Sequence, residues 1–115
     1  MKMVKELAYN VNMINCDQSS YITLYKVADS IIFATFNIIT STSIPIGDDL
    51  RIGTMVPSVR PIIDQYIPVR SMYGGNIQQP LYLIFKNDGN IIITVPSGYP
   101  GATKVYSTGM GSYLI

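Results

Sequence analysis

Residues 31–39 read IIFATFNII, and this stretch decides the fold class of the chain. Every second residue from 32 to 38 is apolar, which is the two-residue period of a β-strand. The alternate positions include Ile31, Phe33 and Ile39, so the second face of the strand is also rich in apolar side chains. One core covers only one face of a strand. We therefore expect Ile31, Phe33 and Ile39 to lie in a subunit interface.

Further β-rich runs separated by turn residues lie on both sides of this strand. Apolar and polar residues alternate in several of them, and none has the period of a long amphipathic helix. The sequence therefore predicts an all-β fold, an antiparallel β-sandwich or jelly-roll-like barrel of seven to eight short strands. The other predicted strands are Leu7–Ile14, Tyr21–Val27, Leu50–Met55, Ile67–Tyr73, Leu81–Lys86, Asn90–Val95 and Ser112–Ile115.

Turn residues fix several of the connections. Asn87-Asp88-Gly89-Asn90 contains Asp-Gly between two β-rich runs, which predicts a tight hairpin. Pro68 has no N–H to donate to a ladder, so we expect it at a sheet edge, a strand start or a bulge. Six Gly or Pro residues between Pro96 and Gly111 predict a long loop before the final strand.

The length and composition favour one β-sandwich domain over residues 1–115. Domains commonly contain roughly 100–150 residues, and the sequence has neither a linker nor an internal repeat. Apolar residues make up 48 % of the chain and charged residues 13 %, against a typical charged share of about 25 %. A domain of this size leaves much apolar surface exposed. We therefore expect a homo-oligomer.

The charge pattern argues against nucleic acid as a partner. Eight basic and seven acidic residues give a net charge of +1 with no basic run, whereas phosphate backbones require clustered cations. The longest apolar stretch, residues 31–39, is far shorter than the roughly 20 residues that span a bilayer. We therefore expect neither nucleic-acid binding nor membrane insertion, and the first 16 residues lack the apolar core of a signal peptide.

Catalytic and metal-binding residue types are scarce. The chain has no histidine, and Cys16 is its only cysteine, so a zinc site or an activated thiol is not expected. The carboxylates fall mostly at turns, where Asp favours local backbone hydrogen bonds, although two from different loops could converge as a glycosidase pair. Asp48-Asp49 could contribute oxygen ligands to calcium but lacks the spacing of a calcium loop. The sequence predicts no enzyme, no metal and no cofactor.

Loop tyrosines and amides are the candidate ligand-binding residues. Tyrosine offers an apolar face and a hydrogen-bonding tip, amides pair with sugar hydroxyls, and glycine lets a ligand approach the backbone. Ordinary packing or a polar turn remains the alternative interpretation for each of them. The candidates are Tyr73, Asn76, Gln78, Gln79, Tyr99 and Tyr106.

From about Ile44 onward the order of features is distinctive. Ile44-Pro45-Ile46-Gly47 precedes a short strand, a loop closes in Arg60-Pro61, Ile67-Pro68-Val69 follows, and a strand pair surrounds Asn87-Asp88-Gly89-Asn90-Ile91. The chain then reaches Gly111-Ser112-Tyr113-Leu114-Ile115. This order resembles the C-terminal β-domains of tail-fibre and baseplate proteins from phages and prophages of Gram-positive bacteria. The loop before Arg60-Pro61 lacks the Leu, Gly and Tyr usual in that family.

The resemblance implies a non-enzymatic structural domain that acts in assembly and host-surface recognition. It implies a trimer at the tip or shell of a tail, with other tail proteins and possibly a host cell-surface glycan as partners. The expected location is the virion, or the cytoplasm of a lysogenic host before assembly. A cellular carbohydrate-binding, lectin-like module is the alternative, and it rests on the loop tyrosines and amides.

Overall fold

The chain folds into nine β-strands and one short 3-10 turn in the computed structural model, which describes residues 7–72, 80–99 and 101–115. No α-helix occurs in those three ranges. The turn is Pro57–Val59. The strands are β1 Leu7–Asn10, β2 Asn12–Met13, β3 Tyr21–Ala28, β4 Ile31–Ile39, β5 Asp49–Thr54, β6 Gln65–Val69, β7 Leu81–Phe85, β8 Asn90–Thr94 and β9 Tyr106–Leu114.

The strands form two antiparallel sheets that pack face to face. The first sheet has the order β1-β3-β4-β9, and the second has the order β2-β5-β8-β7-β6. This confirms the predicted all-β sandwich, with nine strands instead of seven or eight. Because β9 and β6 are edge strands that contact each other, the two sheets meet along one side of the sandwich.

The core lies between the sheets and is built by the alternation predicted for β4. The residues at 32, 34, 36 and 38 are buried, as are the inward residues of β3, β7 and β8. Side chains alternate across a strand, so the residues at 31, 33, 35, 37 and 39 point to the solvent side of the first sheet. One face of β4 is therefore covered by the core of the chain and the other is not.

The predicted strand Leu7–Ile14 is wrong as a single element, because β1 and β2 belong to different sheets. Val11 lies between them and donates its N–H to Ile22 O at 3.0 Å, whereas Ile14 donates to Ile52 O at 2.9 Å. The chain thus leaves the first sheet and joins the second within a few residues. It crosses beside Gly53, where a Cβ would overlap the Val11 side chain. Alternation alone does not reveal this crossing, since both halves keep the same period.

The predicted loop Pro96–Gly111 is also wrong in its second half, because β9 begins at Tyr106. A Cβ on Gly111 would lie 2.9 Å from Ile67 Cδ1, and one on Gly109 would lie 3.3 Å from Phe36 Cζ. These glycines lie within a strand where neighbouring side chains approach the backbone closely. The sequence pattern alone predicts turn residues at both positions.

Two local predictions in the second sheet are confirmed. The β7–β8 hairpin forms, and Gly89 in its turn adopts a φ of 94°, a conformation that favours glycine. Pro68 lies in β6, an edge strand, although β6 spans Gln65–Val69 instead of the predicted Ile67–Tyr73.

The Arg60-Pro61 loop is fixed to the turn of this hairpin. Arg60 donates from Nε to Met55 O at 3.0 Å, and its guanidinium lies against the backbone of Gly89. Asn87 donates from Nδ2 to Pro61 O at 3.0 Å and to Ile62 O at 2.8 Å. The loop and the hairpin turn therefore form one hydrogen-bonded unit at this end of the second sheet.

Candidate functional site

Among the described residues, those on the solvent side of the first sheet carry no charge. The pairing registers place residues of β3, β4 and β9 side by side on this surface, which we call the outer face. Its residues are Tyr21, Thr23, Tyr25, Val27, Ile31, Phe33, Thr35, Asn37, Ile39, Tyr106, Thr108, Met110, Ser112 and Leu114.

Apolar side chains dominate the outer face. Met110 and Leu114 are 68 % and 60 % exposed, and Ile31 is 38 % exposed. Tyr25 and Phe33 pack ring against ring with centroids 6.4 Å apart, and they border a shallow depression of about 360 Å³. Exposed contiguous apolar surface of this kind is typical of protein interaction sites.

All three residues predicted for an interface lie on the outer face. Ile31 is exposed, and Phe33 and Ile39 are half-buried. In β4 and β9, Ile31 pairs with Leu114 and Ile39 pairs with Tyr106, so the predicted residues extend along the whole strand pair. The structure adds Tyr106 and Met110 of β9, which fall in the predicted loop Pro96–Gly111, and Leu114, which falls in the predicted strand Ser112–Ile115.

The solvent side of the second sheet has a different character. Arg51 and Ile92 pair on it, so it carries a charge, and Ile84 is already buried there at 5 % exposure. Tyr66 and Tyr82 pack edge to face with ring centroids 6.3 Å apart. This surface therefore differs from the outer face, because a charged side chain lies among its apolar residues.

A groove runs between the edges of the two sheets where β6 ends and β9 begins. Its volume is about 340 Å³. Phe36 and Val69 are buried at its base, and Met72 and Met110 are exposed at its margins. The other lining residues are Pro68, Arg70, Ser71, Ser107, Thr108 and Gly109.

Ser71 fixes the geometry of this groove. Its Oγ accepts a hydrogen bond from Tyr106 N at 3.1 Å and donates to Lys104 O at 3.1 Å. The segment that follows β6 is thereby attached to the first residue of β9. A ligand in the groove would meet an apolar base, two hydroxyl-bearing side chains of β9 and the Arg70 guanidinium.

The ligand-binding candidates are only partly within the described residues. Tyr73, Asn76, Gln78 and Gln79 lie outside them. Tyr106 is half-buried at the start of β9, beside the groove. Tyr99 is buried at 4 % exposure, and this burial raises the pKa of its hydroxyl while the Arg70 charge opposes the shift. Tyr99 thus lies near Arg70, and Tyr106 contacts Ser71.

The acidic side chains mostly serve local turns, as their positions predicted. The backbone N–H of Asn90 donates to Asp88 Oδ1 at 3.0 Å and lowers the pKa of that carboxyl. Asp64 differs, because it accepts from Asn87 N at 2.8 Å and so joins its own loop to the β7–β8 turn. Asp48 accepts from Asp49 N at 3.1 Å. Within the described part of the chain, no three Asp, Glu, Cys or His side chains form a group that could hold a metal ion.

Cys16 lies in a position that suppresses thiolate formation. Burial raises the pKa of its thiol from 9.0 to about 11, and a hydrogen bond with Ser20 offsets only part of that shift. Its residue pairs with Thr40 in an isolated β-bridge. Because the thiolate is the nucleophilic form, this position disfavours reaction at the sulfur.

No family model matches the chain, and no curated protein matches it. Among the described residues, no helix is long and apolar enough to cross a membrane. The outer face and the groove are therefore the two surfaces that indicate a function.

Proposed function

We propose that the chain is a non-enzymatic structural domain of a phage tail fibre or baseplate, which assembles as a trimer and contributes to host-surface recognition. The outer face carries this proposal. It is the solvent side of a regular four-stranded sheet, it holds exposed Ile31, Met110 and Leu114, and it has no charge that would oppose a second copy. A symmetric subunit contact would bury these side chains.

The low charge of the whole chain supports the same reading. Only 13 % of the residues are charged, so the surface has few groups that would keep an isolated copy apart from its neighbours. The order of motifs from Ile44 to Ile115 supplies the tail-fibre context. The groove beside β9 is then the surface left for contact with a cell-wall glycan or another tail protein.

The mass of the assembly in solution tests the proposal. Ile31→Lys places a charge on the outer face at a partly exposed position, so the single domain should fold normally. We expect light scattering at micromolar concentration to show a mass about threefold lower than that of the wild type, because a desolvated lysine opposes the interface. Ile62→Lys is the matched control, since Ile62 is 78 % exposed in a loop away from the outer face. An unchanged mass for Ile31→Lys would contradict assembly through this surface.

Recognition is tested separately from assembly. The purified wild-type domain should adsorb to cell walls of the host bacterium, and the assembled form should adsorb more strongly than Ile31→Lys because linked sites act together. Absence of adsorption to every Gram-positive wall tested would leave a structural role without the recognition role.

A further inference from the structure

Strand β9 has one hydrogen-bonded neighbour, β4, and its other side is an edge of the first sheet. It is nine residues long, Tyr106–Leu114. A long edge strand exposes a row of backbone donors and acceptors, and such a row is a template for pairing with another strand. The register of β9 shows which residues provide that row.

Alternate residues of an antiparallel strand direct their N–H and C=O groups to opposite sides. The bonds Thr40 N to Val105 O and Ile115 N to Ser30 O, both 2.9 Å, fix the phase of the β4–β9 ladder. They place the odd-numbered residues of β9 toward β4 and the even-numbered residues toward the free edge. Tyr106 is the first of the latter, and its N–H already donates to Ser71 Oγ.

Four residues therefore present backbone groups at the free edge, namely Thr108, Met110, Ser112 and Leu114. No backbone hydrogen bond among the described residues connects them to another strand on that side. Their side chains all lie on the outer face, so a strand placed beside β9 would also extend that face.

The other edges of the sandwich are protected in ways that β9 is not. Pro68 interrupts the donors of β6, while β2 is only two residues long and β1 only four. Strand β9 contains no proline and no charged residue. Edge strands usually carry such features to prevent association. Their absence over nine residues favours pairing at this edge.

We propose that a second copy of this chain pairs with β9 in antiparallel orientation, about a two-fold axis at Gly111. This register places Met110 opposite Ser112 of the second copy and Thr108 opposite its Leu114, so all four outward residues find outward partners. Each such pair exchanges an N–H and a C=O in both directions. The pairs contain no charge, so no like charges face each other across the contact.

The two glycines of β9 suit this arrangement. Gly111 of one copy would lie beside Gly111 of the second copy at the axis, where the absence of a side chain allows the two backbones to approach closely. The two first sheets would become one continuous sheet of eight strands, and the two outer faces would join. The inference concerns an edge of the sheet and does not rest on the proposed function.

Proline at position 112 tests the contact directly. Ser112 directs its N–H away from β4, so Ser112→Pro keeps the β4–β9 ladder and removes one outward donor from each copy. We expect this variant to associate on the order of tenfold more weakly, so that at the lowest concentration where the wild type is still fully paired its mass falls toward half that of the wild type. Ser112→Ala retains the N–H and is the matched control, with wild-type association expected.

Hydrogen exchange gives a second readout that needs no variant. In the wild type, the N–H groups of Met110 and Ser112 should exchange slowly in concentrated solution and quickly after dilution. Those of Gly109 and Gly111, which bond to β4, should exchange slowly in both. Rapid exchange of Met110 and Ser112 at every concentration would overturn the pairing.

The β9 edge contact and the outer-face contact can be tested independently. If folded Ser112→Pro keeps the wild-type mass while Ile31→Lys loses two thirds of it, the edge inference is wrong and the outer-face proposal stands. If Ser112→Pro halves the mass and Ile31→Lys changes nothing, the reverse holds.

Discussion

Removing a single oxygen atom tests how β9 is attached to the rest of the sandwich. The hydroxyl of Tyr113 donates to Val59 O at 2.7 Å, and the residue is 3 % exposed. Its ring stacks on Phe85 with centroids 4.5 Å apart and planes at 22°. Tyr113→Phe keeps this ring contact and the core volume, but leaves the Val59 carbonyl without its donor.

The magnitude follows from the burial of that carbonyl. An unsatisfied buried acceptor costs about 1–3 kcal/mol, whereas the net contribution of an ordinary hydrogen bond is about 1 kcal/mol. Because Val59 belongs to the 3-10 turn that packs into the core, little water can replace the hydroxyl. We therefore expect Tyr113→Phe to lower the free energy of unfolding by about 1–3 kcal/mol.

Urea unfolding at one fixed protein concentration is the assay, since assembly couples to apparent stability. The midpoint should fall while the slope stays unchanged. Tyr66→Phe is the matched control, because Tyr66 is 60 % exposed on the second sheet, away from the outer face, and loss of its hydroxyl should change the free energy by less than about 0.5 kcal/mol. Equal effects of the two substitutions would refute the role assigned to the Tyr113 hydroxyl.

Two further predictions concern the same end of the sandwich. Burial raises the pKa of Tyr113 above its usual 10.0, so the stability tied to its neutral form is complete below about pH 10 and is lost as pH rises further. The difference in unfolding free energy between the wild type and Tyr113→Phe should therefore shrink as pH rises above that value. A difference that stays constant with pH would contradict this. Gly89→Ala should lower the unfolding free energy by at least about 1 kcal/mol, because φ is 94° and a Cβ would lie 2.5 Å from Arg60 Nε. Gly47→Ala, with φ of 76° but open space around it, should cost less in the same thermal or urea measurement.

The sequence predicted the parts of the fold in which local pattern and tertiary environment agree. Residues 31–39 alternate cleanly because β4 lies in the middle of its sheet, with the core on one side and the outer face on the other. Asp88-Gly89 formed the expected hairpin because the turn itself requires a positive φ. These features depend on neighbours close in sequence.

The remaining features depend on contacts between distant segments. From the sequence alone Gly111 is predicted to be a turn residue, because its close contact with Ile67 comes from a distant segment. The change of sheet at Val11 likewise has no local sequence signal. The interface candidates Ile31, Phe33 and Ile39 were found on an exposed surface because a two-faced apolar strand was visible in the sequence. The groove was missed, since it combines residues 68–72 with β9 and neither segment identifies the other.

The crossing at Val11 also determines how the sandwich would carry a load. A pull applied at Leu7 reaches the first sheet through the four register pairs of β1, and it then reaches the second sheet through β2 only a residue later. Neither layer can be drawn away without stretching the segment that belongs to both. The two sheets are therefore tied at one corner by the chain itself, and tension along the N-terminal strand is divided between them instead of peeling one layer from the other.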